Sequence, residues 1–518
     1  MIYVRICFLI ALSFASFKGL NYLLTIFQQE HYNTKKYIKS FYDFYFLKKY
    51  NYLFYIMVFI SFLNNAYLYI GGMILSIIII LLKNNLVINL KFTKRVIRLL
   101  ITYIFLLIFT LIVSKYKLQT LSIIYLLNPF ILIIINFINL PFELLVKHYY
   151  QKKASKKLLK NKNLIKIAIT GSFGKTSTKN ILKNILENKY ITTSTPKSYN
   201  TLMGLSKTIN DNLNNQTEIF IAEMGAYRLK EIDKMTKFIK PDIGVICDIG
   251  YQHMETFKTL ENVKTAKFEL INRMAEKTYA IINKDALLID EESLKKKKTY
   301  FFSEQNKSGV YASDIKIHNG KTTFKINYKE NIVEITTQLL GKHNIKNILA
   351  SYCVILALRE KNINITDSEF SKIISNIRPL NHRLSYEKVD NLHIYDDAYN
   401  SNKNGFINSI EVIKNIPLKK VIITPGIVDL GKMTEEINKE VARHIKNVFD
   451  DIYIIDSYSG IYIYKELEYL NNVTLVKSFK DAYLQVLSKY KTEEIALLIE
   501  NDLPDNYLAR RRKKWKKT

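Results

Sequence analysis

The sequence predicts an α-helical transmembrane region followed by an α/β part: a phosphate-loop domain on a parallel sheet, then a smaller Rossmann-like α/β domain. Three observations carry this. Apolar stretches fill much of Ile2–Leu140. Beyond a Lys-rich linker, short apolar runs alternate with helix-like segments, the pattern of a parallel sheet wound with helices. Finally, Ile167-Ala-Ile-Thr-Gly171-Ser-Phe-Gly174-Lys175-Thr176-Ser177-Thr178 takes an apolar strand into a glycine-rich turn and a helix. At such a turn backbone N–H groups face phosphates, the Lys adds positive charge, and the Thr hydroxyl can bind Mg²⁺.

Composition agrees. The chain has 518 residues, 48% hydrophobic, with a formal net charge of +30. That pair suits a membrane protein with a soluble part on the positive-inside face better than a nucleic-acid binder. Cys7, Cys247 and Cys353 lie far apart, so neither a disulfide framework nor a CxxC metal site is expected.

The candidate spans are Ile2–Leu24, Tyr52–Leu63, Ala66–Leu82, Leu99–Val113 and Leu118–Leu140. The middle ones are short against the roughly 20 residues of a full crossing. Tyr52–Leu82 reads either as one long tilted helix or as a hairpin turning at Asn64-Asn65. Charge decides between them. Lys35, Lys36, Lys39, Lys48 and Lys49 form one basic segment, Lys83, Lys91, Lys94, Arg95 and Arg98 a second, and Lys147–Lys166 a third. Only the hairpin, with five spans and the N-terminus outside, puts all three in the cytoplasm; four spans is the alternative. The first segment lacks a clean small-residue cleavage site and is read as a span rather than a signal peptide. The expectation is a multi-pass protein of the cell membrane with cytoplasmic catalytic domains. The spans serve as an anchor, and no acid or base inside them marks a lipid-substrate site.

The expected organisation is residues 1–146 as a transmembrane region of four to five helices, 147–164 as a basic linker, 165–377 as the ATP-binding domain and 378–518 as the C-terminal domain. Strands are expected at Ile165–Thr170, Ile219–Ala222, Ile243–Cys247 and Ala280–Ile282, with helices at Lys175–Asn188, Arg228–Phe238 and Leu260–Arg273. Lys298–Leu340, with alternating runs at Thr322–Tyr328 and Ile332–Thr336, reads as an antiparallel patch. A helix at Asn344–Leu358 precedes a joint at Arg378-Pro379, and strands recur at His393–Tyr395, Lys420–Ile423, Asp451–Ile455 and Ile495–Ile499. The tail Arg510–Lys517, with seven basic residues and Trp515, reads as a membrane-surface contact or a solvated end. No recognition module accompanies its charge, so no nucleic-acid partner is expected.

In an open parallel sheet ligands bind outside the carboxyl ends of the strands. The first strand ends in the phosphate loop Gly171–Thr176, the second in Glu223, and the third in Ile249-Gly250-Tyr251-Gln252-His253. A cradle, a carboxylate that can serve Mg²⁺ and an imidazole thus share one edge. Taken singly, Glu223 reads as a loop residue and His253 as structural; together with the loop they read as a site. The loop is not the ordinary Walker pattern, since Ile169 stands where its first glycine would be. That argues against a generic GTPase or transporter ATPase.

With further stretches this resembles the Mur ligase superfamily, which makes amide bonds using ATP. The stretches are Thr170-Gly-Ser-Phe-Gly-Lys-Thr-Ser, Ala222-Glu-Met-Gly-Ala, Gly250-Tyr-Gln-His-Met-Glu-Thr-Phe, Thr265-Ala-Lys-Phe-Glu-Leu, Gly341-Lys-His-Asn-Ile-Lys-Asn-Ile-Leu-Ala, His382-Arg-Leu and Asp396-Asp-Ala-Tyr-Asn-Ser-Asn. The last, with Ile427-Val-Asp-Leu-Gly, most resembles the D-alanyl-D-alanine-adding branch. The likeness runs in order from about Ile165 to about Asp505. By matching position it implies an ATP site of Gly171, Ser172, Gly174, Lys175, Thr176 and Ser177, with Lys175 on the β/γ-phosphates. Thr176, Glu223, His253 and Lys267 would serve Mg²⁺, Lys267 as a carbamate; Lys175, His253 and Lys267 would be catalytic. Asn344 and Asn347 would meet the adenine, and Arg383 and Asp397 would reach the nucleotide from the C-terminal domain. Asn200, Tyr399, Asn400 and Asn402 would lie on the substrate side. Read without the family pattern, Lys267 is a surface helix lysine.

The resemblance fails at the N-terminus, where membrane spans stand in place of the domain that grips the UDP-sugar. Lys258 replaces a usual glycine and Asp429 a usual glutamate. The implied cofactors are ATP and Mg²⁺, and the implied partners a peptidoglycan-precursor-like carboxylate, an amino acid or D-alanyl-D-alanine, the membrane, and a protein supplying the missing recognition. Competing readings are a polyglutamate-type capsule ligase, a ligase for a lipid-linked precursor, and a nucleotide-dependent membrane scaffold without ligase chemistry.

Overall fold

The computed structural model describes the chain except residues 1, 31, 45–48, 64, 82–88, 115–118, 197–198, 319–320, 380–381, 399–402, 429 and 502–518. Asn64, Tyr399, Asn400, Asn402, Asp429 and the basic tail with Trp515 therefore lie outside the described residues. The chain divides into two compact units, Met1–His148 with Pro504–Thr518, and Tyr149–Leu503.

The first unit is helical: α1 (Ile2–Gln29), α2 (Thr34–Phe44), α3 (Lys49–Ile60), α4 (Ala66–Leu81), α5 (Lys94–Val113), α6 (Gln119–Leu126) and α7 (Asn128–Lys160), the last running on into the second unit. Among the described residues three of them, α1, α5 and α7, are long and apolar enough to cross a membrane. Tyr52–Leu81 forms two helices rather than one, as the hairpin reading expects, but their 12 and 16 residues fall short of a full crossing. The expected span Leu118–Leu140 is interrupted at Leu127. Pro129, lacking an N–H, starts a new helix there, and buried Asn128 accepts from the Tyr103 hydroxyl (2.6 Å) and donates to Ser16 Oγ (2.9 Å). The outer face of α5 is apolar and exposed at Ile101, Phe105, Ile108, Phe109 and Ile112, as a lipid-facing surface requires. Its inner side is polar: Arg98 Nε donates to Glu143 at 2.9 Å, Arg95 to Asn136 at 3.0 Å, and Asn139 to Thr102 at 2.9 Å.

In the second unit the strands are β1 (Ile165–Thr170), β2 (Thr192–Ser194), β3 (Ile219–Glu223), β4 (Ile243–Ile246), β5 (Tyr279–Asn283), β6 (Lys298–Ser303), β7 (Val310–His318), β8 (Lys321–Tyr328) and β9 (Asn331–Thr337). Among the described residues they form one sheet in the order β2-β3-β1-β4-β5-β6-β7-β8-β9. Pairing is parallel from β2 through β7 and antiparallel from β7 to β9. The antiparallel patch is thus a continuation of the parallel sheet, and its first expected member, β6, is parallel. Strands β1, β3, β4 and β5 are near-continuous Ile, Val and Ala runs because helices cover both faces. Those helices are α8 (Lys175–Leu186), α9 (Leu202–Asn212), α10 (Glu231–Ile239), α11 (Met254–Phe257), α12 (Leu260–Arg273), α13 (Lys342–Arg359) and α14 (Asp367–Asn376). Thr259 caps α12 by accepting from Asn262 N, and Thr366 with Glu369 forms a capping box on α14.

The second sheet holds β10 (Ser385–Val389), β11 (Leu392–Asp397), β12 (Lys419–Thr424), β13 (Asp451–Ile455), β14 (Val473–Val476) and β15 (Ile495–Glu500), in the order β10-β11-β15-β12-β13-β14. All pairs are parallel except β10 with β11. Helices α15 (Lys403–Lys414), α16 (Thr434–Ile445), α17 (Gly460–Leu467) and α18 (Phe479–Lys489) complete it. Strands β2, β10 and β14 escaped the sequence reading because they are edge strands with few buried side chains.

Candidate active site

Register builds the site. Ile169 of β1 stands opposite Glu223 of β3, and Thr170 opposite Ile246 of β4. The turn after β1 and the residues ending β3 and β4 therefore meet at one edge. Ser172 N donates to Asp248 O at 2.8 Å, and Gly250 N donates to Ser172 Oγ at 3.1 Å, stitching the loop to the segment after β4.

Gly174 caps α8 with φ +80°, which turns the chain so that the first amides of the helix open into the loop. A Cβ there would lie 2.6 Å from Asn347 Oδ1. Gly174→Ala therefore meets both a strained backbone and a rigid neighbour. Its expected cost is roughly 1–3 kcal/mol of stability, with at least a tenfold loss of ATP affinity; thermal unfolding and calorimetric titration check both.

Lys175 Nζ donates to Gly171 O (2.7 Å) and Ser172 O (3.0 Å), so it is folded over its own loop. Burial pushes its ammonium below the ordinary lysine range, against a raising influence from Glu223; the Arg383 guanidinium pushes the same way as burial. Thr176 Oγ1 donates to Glu223 Oε1 at 3.1 Å, and Asn200 Nδ2 reaches the same oxygen at 3.3 Å. Gly225 permits that approach, since a Cβ on it would sit 2.8 Å from the Asn200 amide. The structure thus brings together Thr176, Glu223 and Asn200. Ser177 is half-buried in the first turn of α8.

His253 caps α11 with φ +51°, and its ring lies 4.3 Å from that of Tyr227, four residues past Glu223. Lys267 is only 1% exposed, on the inner face of α12, which removes the surface-lysine reading. Its ammonium is 5.8 Å from the Phe257 ring. Burial pushes it well below the ordinary lysine range, Lys175 pushes further, and Glu269 and Glu231 oppose. Glu231 and Glu269 are themselves engaged by backbone N–H groups of Tyr227 and Asp233.

Asn347 is buried beneath the loop. Its Oδ1 accepts from Thr178 Oγ1 (3.2 Å), and its amide donates to Asn344 Oδ1 (3.3 Å), while Asn344 donates to Leu340 O. Asn347 thus ties α13 to α8, and Asn344 holds the Asn347 amide in place. From the second sheet, Asp397 accepts from Leu384 N at 3.0 Å; burial raises its carboxyl to about 6, with Arg383 opposing. The Arg383 guanidinium lowers Lys175 and His343 and opposes the rise at Asp397.

Sequence reasoning missed Lys179, whose ammonium binds Glu223 Oε2 at 3.0 Å. It lies four residues after Lys175 on the same helix, but nothing in the sequence marks it as turned inward. It also missed Asp248, whose carboxyl burial raises to about 6.

Residues 169–355 match the model of the Mur ligase middle domain. A curated relative from Buchnera aphidicola subsp. Baizongia pistaciae, named UDP-N-acetylmuramoyl-tripeptide--D-alanyl-D-alanine ligase, is 30% identical over 361 residues, covering 67% of this chain and 77% of the relative. This chain belongs to the Mur ligase family. A Bacillus subtilis ligase of the same name is 30% identical over 277 residues, 53% of this chain and 58% of that one. Both support the MurF-like branch of the Mur ligases, which are ATP-dependent ligases. In fold, the MurF ligase of Thermotoga maritima, solved with ADP, superposes with a TM-score of 0.63 at 24% identity, covering 72% of this chain and 83% of that one. MurF from Acinetobacter baumannii gives 0.63 at 21%, covering 69% and 77%.

Proposed function

We propose that this chain is a membrane-anchored, ATP-dependent amide ligase of cell-envelope synthesis that adds D-alanyl-D-alanine to a peptidoglycan-precursor carboxylate. The observation that carries the reading is the meeting of a Lys-bearing phosphate loop with a buried carboxylate, Glu223, through Thr176. Relatives bearing the D-alanyl-D-alanine ligase name support the choice of amine.

ATP fits the loop through the amides of Gly171–Thr176, with Lys175 released from its own carbonyls to the β/γ-phosphates. Mg²⁺ fits as well. Among the described residues no group of three His, Cys, Asp or Glu forms a cage; Mg²⁺ takes one or two carboxylates together with substrate phosphates, which Thr176 and Glu223 match. His253 and carbamylated Lys267 would support it, and the ion would neutralise the transferring phosphoryl group. The acceptor carboxylate attacks the γ-phosphorus, the bond to the β/γ-bridging oxygen breaks, and ADP leaves. The amine then attacks the acyl carbon, the carbon–oxygen bond to phosphate breaks, and the amine proton is lost to solvent or phosphate. The chain's part is positioning and charge neutralisation. Asn200 and, on their matching positions, Tyr399, Asn400 and Asn402 would hold the acceptor or amine; Asn344, Asn347, Arg383 and Asp397 would enclose the nucleotide.

A second reading, a lipid-linked acceptor, is favoured by the three helices long enough to cross a membrane. Full-length protein in detergent should release ADP and phosphate only when acceptor and amine are both present. Mass spectrometry with labelled D-alanyl-D-alanine and either a UDP-linked or a lipid-linked acceptor separates the two readings. ATP binding without any amide product would leave only a nucleotide-dependent scaffold.

A further inference from the structure

Glu223 has an ionic partner that the motif reading does not include. Both side chains of the Lys179–Glu223 pair are almost wholly buried, at 2% and 1% exposure, and lie 3.0 Å apart. The two carboxylate oxygens are divided between different partners. Oε2 is held by Lys179, and Oε1 by the Thr176 hydroxyl and the Asn200 amide. Glu223 N donates to Thr195 Oγ1, so the backbone carrying the carboxylate is pinned too. Lys179 lies one helical turn beyond Lys175, and its ammonium faces the strand rather than the loop carbonyls that engage Lys175.

We infer that Lys179 is a positioning residue. It anchors one oxygen of Glu223 so that the other stays directed at Thr176, the pair on which a nucleotide-bound Mg²⁺ would rest. The inference depends on the ATP–Mg²⁺ reading above. A buried carboxylate without a counter-charge would swing or be neutralised, and a buried pair broken on one side is strongly unfavourable. Lys179 keeps Glu223 ordered when no metal is present, and because it takes only Oε2 it leaves Oε1 for the ion. Asn200 ties the same oxygen to the loop proposed to face the acceptor, so the carboxylate joins the nucleotide and acceptor sides through one group.

The test measures ADP binding to the full chain in detergent by calorimetry, with EDTA and with Mg²⁺, and needs no acceptor or amine. In Lys179→Met, ADP affinity in EDTA should stay within threefold of wild type, because Lys179 does not face the phosphates. The gain in affinity that Mg²⁺ confers should fall at least tenfold. Lys179→Arg, keeping charge and donors, should retain most of that gain. If Lys179→Met does not fold, Lys179→Gln takes its place with the same expectation. An undiminished Mg²⁺ gain in the neutral variant, with only a lowered melting temperature, would reduce Lys179 to a structural ion pair and overturn the inference. Failure of wild type to bind ADP would instead overturn the nucleotide reading itself.

Discussion

Lys175→Ala is expected to lower ATP-dependent product formation by at least a thousandfold while leaving the fold intact. Among the described residues the side chain makes no ion pair; it rests on two carbonyls of its own loop, Gly171 and Ser172. Losing those two contacts costs about 1.5–3 kcal/mol each at most. Its proposed work is different in kind. An ammonium already half desolvated, held at the mouth of α8, meets the negative charge that builds on the transferring phosphoryl group. Preorganised charge in a water-poor site is where the large catalytic effects arise, typically about 10²–10³-fold per donor and more for a full charge. Coupled ADP-release kinetics with both substrates, beside a melting curve, would check this; a variant turning over within tenfold of wild type would dismiss the proposed role.

The same residue shows how much could be read from the chain. A strand, a turn and a helix start are local, and Ile167–Thr178 spells them out by hydrophobic run, glycines and polarity. The parallel sheet holding β1, β3 and β4 was legible because buried strands are continuously apolar, and placing their ends at one edge brought Glu223 to the loop. Lys179 was not legible as a partner. A lysine on an amphipathic helix normally faces solvent, and only the packing of α8 over β3 turns it inward. The break at Leu127 was hidden for a related reason. Asn128 lies inside the apolar run Leu118–Leu140, and its amide joins Tyr103 to Ser16, contacts far away in sequence. The Arg98–Glu143 pair was not read, because Arg98 counted only toward the basic segment Lys83–Arg98 and its partner lies 45 residues away.

Lys267→Met should cost at least a hundredfold in turnover and yet unfold at a temperature equal to or above that of wild type. The two effects have one cause. Lys267 is buried, and burial with the neighbouring Lys175 charge drives its ammonium well below the ordinary lysine range. A lysine whose folded value is depressed works against the fold at every pH below its unfolded value near 10.4, because the unfolded chain takes up a proton that the folded chain resists. Wild-type stability should therefore decline as pH falls below that point until the folded value is reached. Methionine lacks this slope and fills nearly the same volume. The depressed ammonium also supplies what the proposed carbamate needs: a neutral amine, whose nitrogen bonds the carbon of CO₂ and gives up one proton to solvent. The product is an anion in a place where burial and the Lys175 charge oppose a free ammonium; Glu231 and Glu269 oppose the anion in turn, but their carboxylates are engaged by backbone N–H groups. It would face the magnesium ion rather than repel it. Activity of wild type should accordingly fall in CO₂-depleted buffer and return on adding bicarbonate, while Lys267→Met responds to neither. Full turnover by the methionine variant would remove Lys267 from the chemistry, and a wild type indifferent to CO₂ would remove the carbamate.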